Sequence, residues 1–173
     1  MQQEHTKHRH LLKYFIASLS FFLAGSMHGV WQLYPPVRAW LDSIGSPYGG
    51  PGHLIDPLAH AHINLIGGLM MFLMGLSYYL IPKLTGRPVW SSRLMTLSFW
   101  GTVIGVLCFY STLMIFGAWM GELLLDGAGP ARMEEAQAIY GPLAAISAAI
   151  MGTGLWMFLG NALTSLIKAA IAK

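Results

Sequence analysis

Three histidines and an asparagine stand in this sequence where apolar residues would be expected. His28 interrupts the first long apolar run, and His60, His62 and Asn64 open the second, DPLAHAHINLIGGLMMFLMGLSYYLIP, residues 56–82. An ionisable side chain inside an apolar span is costly and by default marks a binding site. Two axial ligands drawn from His or Met hold a b-type haem between helices without covalent attachment. The CxxCH signature of c-type attachment does not occur. Against a cofactor stands the plainer reading, in which these imidazoles hydrogen-bond one helix to another and bind nothing.

Helix geometry sorts the candidates. His60 and His62 are two residues apart, about 200° around a helix, so both cannot ligate one iron from the same helix. His62 is the deeper and is the axial candidate; His60 is left to hydrogen-bond a propionate, cap a loop or bind a second metal. His28 precedes Pro35 by seven residues, and His62 follows Pro57 by five. At about 1.5 Å per residue their depths are roughly 10 Å and 8 Å, which makes His28 and His62 the expected axial pair on adjacent antiparallel helices. Ala24, Gly25 and Gly29 beside His28, with Gly67 and Gly68 on the second helix, leave room for a flat macrocycle. Asn64 would steer an imidazole or a propionate, and Arg38 and His53 in the following loop are candidate propionate partners.

The elements that must position these residues are membrane spans. Of 173 residues, 55% are hydrophobic and 10% charged, against about 25% charged in soluble domains. The expected fold is all-α: an integral membrane four-helix bundle of up-down topology. A polar tail, residues 1–10, precedes one transmembrane domain, 11–173, with spans near 11–33, 58–81, 94–117 and 139–167. Each apolar run is about 20 residues or longer, enough to cross the hydrocarbon core. The basic tail and first run lack a small-x-small cleavage site, so a retained first span is expected rather than a cleaved signal. Pro35 and Pro36 end that span, residues 36–55 read as a Gly/Pro-rich loop, and Trp31, Tyr34 and Trp40 suit an interfacial aromatic belt. Asp56 is a fitting N-cap with Pro57 at the first helical position. Residues 119–138 read as a mixed acidic connection with room for a short surface helix.

Charge placement gives orientation. Eight of the ten Lys and Arg residues fall on the side of the termini, and six of the seven acids fall on the other. The positive-inside rule then puts both termini in the cytoplasm of a multi-pass protein of the inner (plasma) membrane. The basic balance therefore reports topology and not nucleic-acid binding. Nothing resembles a phosphate-binding glycine loop, a GxSxG elbow or an HExxH site, and Cys108 has no second cysteine to pair with. Small residues from Gly141 to Gly154 pack the fourth span either inside one subunit or, through helix 139–167, in a homo-oligomer.

The segment HAHINLIGGLMMFLMGLSYYLIP resembles the second transmembrane helix of the haem–copper oxidase superfamily. Its flavour is that of the nitric oxide reductase large subunit and of short four-helix relatives of oxidase subunit I. The matching residues are His60, His62, Asn64, Gly67, Gly75, Tyr79 and Pro82. The resemblance implies haem b with an axial histidine at the position of His62. Complete catalytic subunits carry further histidines late in the chain for a binuclear centre, and here none follows His62. The expectation is a membrane-bound b-type cytochrome, for electron transfer or gas-ligand sensing, not an oxidase or reductase on its own. Its expected partners are the lipid bilayer and either a soluble cytochrome c-type carrier or a quinol.

Two other readings stand beside this one. A non-haem metal-handling or assembly factor would use His5, His8 and His10 with thioethers such as Met27, Met70 and Met114, which favour Cu(I). A structural subunit of a larger respiratory complex would bind nothing.

Overall fold

A computed structural model describes residues 9–171. Helix α1 spans Leu12–Leu33 after a short 3-10 turn, and α2 spans Pro35–Ser43. Helices α3, Leu54–Thr85, α4, Ser92–Leu125, and α5, Pro130–Ile171, complete the chain, and no strand occurs among the described residues. Four helices are long and apolar enough to cross a membrane: α1 with its leading turn, α3, α4 and α5.

Neighbours along the chain run antiparallel, as an up-down bundle requires. On α1 and α3, Tyr14 lies at Gly75, Phe21 at Gly67, Gly25 at Asn64 and Gly29 at His60. Between α3 and α4, the Tyr78 hydroxyl meets Ser98 Oγ, while Ile55 fills the space at Gly117. Between α4 and α5, the Ser91 amide donates to Asn161 Oδ1, Gly101 lies at Gly154 and Phe116 stacks near Tyr140.

The α4–α5 seam is backbone on backbone. A Cβ on Gly105 would lie 2.4 Å from the amide nitrogen of Met151, and one on Gly154 would lie 2.6 Å from that of Thr102. Small residues permit this approach where two helices associate without a hydrophobic driving force. The buried face of α5 is Ser147, Met151, Gly154, Phe158, Asn161 and Ser165, one stripe at three- and four-residue spacing. Gly154 and Ser147 of the small-residue stretch thus face α4, whereas a Cβ on Gly141 or Gly152 would meet open space.

Two connections differ from the sequence reading. Residues 36–55 are not all loop, because Pro35 and Pro36 start α2 after the extended Tyr34. Leu41 and Ile44 then bury against Ile55, Met114 and Ala118 and close that end of the bundle. Gly45 and Gly50, with φ of +96° and +60°, carry the turn back to α3, a backbone region that glycine enters without a Cβ clash. The acidic stretch 119–138 is mostly helix, since Phe116, Met120 and Leu123 continue an apolar seam against Ala136 and Tyr140. Only residues 126–129 turn between the helices.

Charge is segregated along the bundle. The six described acids, Asp42, Asp56, Glu122, Asp126, Glu134 and Glu135, lie at the end where α2 sits. Arg9, Lys13, Lys83, Arg87, Arg93 and Lys168 lie at the opposite end.

Candidate functional site

Helix α3 positions the histidines, and it is not a regular helix. Asp56 has an extended backbone, φ −130° and ψ 111°, so the helix proper starts at Pro57. That is the backbone of an N-cap, but the Asp56 carboxylate turns to Arg38 Nη1 at 2.7 Å and Ser46 Oγ at 3.0 Å. Ile63–Met70 is wound as π-helix, a widened winding that often accompanies functional positions in helices.

His60 and His62 diverge as the helical angle requires. His60 faces α1: its ring lies 5.4 Å from that of His28, and a Cβ on Gly29 would sit 3.1 Å from its Cε1. His62 turns to α4, where its ring meets Phe109 edge-on at 4.8 Å. His62 Nδ1 donates to the carbonyl of Leu58 at 2.8 Å. A carbonyl only accepts, so this bond fixes the proton on Nδ1 and leaves the Nε2 lone pair for another partner.

His28 is buried and both its ring nitrogens are engaged. Gln32 Nε2 donates to His28 Nε2 at 3.1 Å, and His28 Nδ1 then donates to Tyr110 Oη at 3.2 Å. The ring that meets His28 is therefore that of His60, not the expected axial partner His62. Depth was a poor guide because rotation of α1 decides which side of α3 its imidazole sees.

The glycine slot is also filled. Gly25 receives Asn64, Gly29 receives His60, Gly67 receives Phe21 and Gly68 receives Phe22. Side chains of the same bundle occupy the room expected for a macrocycle between α1 and α3. Haem does not fit that seam. At His62 the Nδ1 atom is bonded to the Leu58 carbonyl, and the half-buried side chain lies beside Phe109.

The remaining candidates are tied into the protein. Asn64 Nδ2 donates to the His60 carbonyl at 2.9 Å, and His53 Nδ1 donates to that of Pro47 at 2.6 Å. Arg38 donates to Asp42, Asp56 and Ser46. Asp42, and after it Asp56, raise the pKa of its guanidinium above its already high ordinary value. A propionate would have to displace one of these carboxylates. Among the described residues no three His, Cys, Asp or Glu side chains are grouped to hold a metal ion. His5 and His8 lie outside the described residues, and His10 lines a cavity at the basic end.

Sequence reading missed Gln32, Tyr110 and Phe109. Gln32 had a signal, since it stands one helical turn after His28 on the same face. Tyr110 and Phe109 had none, because only the register of α4 against α1 and α3 brings them in.

A family model for cytochrome c and quinol oxidase polypeptide I matches residues 57–163. Cytochrome c oxidase subunit 1 of Rhodobacter capsulatus is 28% identical over 115 residues, a match covering 56% of this chain and 22% of that relative. The match thus spans less than a quarter of the curated relative.

Proposed function

The chain belongs to the cytochrome c and quinol oxidase polypeptide I family, and from that premise we propose that it is a multi-pass membrane cytochrome holding haem b through His62. The observation that carries the proposal is the His62 Nδ1 bond to the Leu58 carbonyl. Such an outer bond orients a ligating imidazole and raises its basicity. The group would supply a one-electron iron couple for electron transfer, or a gas-binding position if one axial site stays open.

What the protein's own residues do is limited and specific. His62 presents Nε2 toward the α3–α4 face, and Phe109 shields that face from water. The filled α1–α3 seam counts against a haem between His28 and His62; a second ligand would then be another side chain, such as a methionine, or a residue of a partner chain. The basic end is the cytoplasmic one in this reading, and the acid end receives a basic cytochrome c-type carrier. A quinol is the alternative electron donor.

A reduced-minus-oxidised spectrum of the purified protein tests the reading. Loss of the Soret and α bands in His62→Ala, with both retained in His28→Ala, is the expected result. A colourless wild-type protein from haem-replete cells would sink the cofactor. Loss of the low-spin band in His28→Ala would return the haem to the α1–α3 seam.

A further inference from the structure

At the basic end, far from the histidine pair, a cavity of about 280 Å³ opens between the start of α1 and the α3–α4 turn. His10 and Arg87 stand among its lining, with Tyr78, Pro82 and Met95 beneath. A second cleft shares His10 and Met95 and adds Lys13 and Arg93. On the other side, Leu11 is common to the cavity and to a wholly apolar groove of Leu12, Phe15, Leu76 and Tyr79.

We propose that this end seats an anionic phospholipid, with the phosphate between His10, Arg87 and Arg93 and an acyl chain in the groove beyond Leu11. Four observations support it. Neither Arg87 nor Arg93 has a carboxylate partner among the described residues, where both ion pairs belong to Arg38. The described acids all lie at the opposite end, so no described carboxylate stands beside Arg87 or Arg93. A charged seat side by side with an apolar groove has the shape of an amphiphile, not of a free anion. Trp90, half-exposed with Lys168 Nζ 5.1 Å from its ring centroid, marks the same level as a membrane–water boundary.

Each basic residue near an anionic headgroup contributes about five-fold in affinity, the equivalent of about 1 kcal/mol. Native mass spectrometry of the full chain in neutral detergent, titrated with phosphatidylglycerol or phosphatidylcholine, measures that preference. Wild type should hold phosphatidylglycerol the more tightly. Arg87→Gln and Arg93→Gln should each reduce its binding about five-fold and leave phosphatidylcholine unchanged. Arg132→Gln, at the opposite end, should change neither. Equal binding of the two lipids, or a preference that survives the double Arg87→Gln/Arg93→Gln variant, overturns the proposal. Displacement of phosphatidylglycerol by millimolar inorganic phosphate overturns it too, by making the seat a soluble-anion site.

Discussion

The α1–α3 and α4–α5 seams solve the same problem by opposite means. Both join antiparallel helices with glycine, but across α1–α3 each glycine accepts a side chain: Asn64, His60, Phe21 or Phe22. Across α4–α5 the glycines bring main chains together, with Gly101, Gly105 and Gly154 against the backbone of the facing helix. The first seam can adjust by rotating a side chain, and it carries the polar groups His28, Gln32 and Asn64. The second cannot adjust without moving a helix. Backbone contact marks one seam and side-chain contact the other.

The contrast can be broken by adding one methyl group to each seam. Gly105→Ala should cost about 3 kcal/mol, because its Cβ meets the Met151 backbone. Equilibrium unfolding in mixed micelles measures it. A change between the seams, Tyr110→Phe, should cost about 1–2 kcal/mol, since it strips the buried His28 Nδ1 of its partner. The same unfolding assay reads it, and an unaltered midpoint would mean that water replaces the phenol. Gly68→Ala should be mildest, about 1 kcal/mol or less, because the added methyl meets only the half-exposed Phe22 ring. Were Gly68→Ala as damaging as Gly105→Ala, the two seams would be equally stiff and the comparison would fail.

Much of the architecture was legible because span length and charge bias are properties of composition. The Gly/Pro-rich and acidic connections were not, for a shared reason. Leu41 and Ile44 in one, and Met120 and Leu123 in the other, bury at amphipathic spacing among polar residues. A search for unbroken apolar runs passes over such helices. At the site, the opposition of His60 and His62 follows from the helical angle alone. The partner of His28 does not, since depth is readable from proline positions and rotation is not. A clue to rotation was nevertheless present. His60 and Asn64 are four residues apart, as are Gly29 and Gly25, so two projections match two hollows on facing helices.

The α4–α5 hairpin has a topographic consequence. Ile55 at the start of α3 is level with Gly117, and Ile44 is level with Gly121, yet α4 runs on to Leu125. From Gly121, level with the end of α2, to Leu125 the helix climbs about 6 Å. The acid end is therefore a step, with α2 and the mouth of α3 as the tread and the hairpin as the riser. Trp40 pins the tread to the riser through its bond to Glu122. A flat partner would rest on the hairpin tip and leave a gap above α3. A partner with a matching overhang would be oriented by contour as well as by charge at this end.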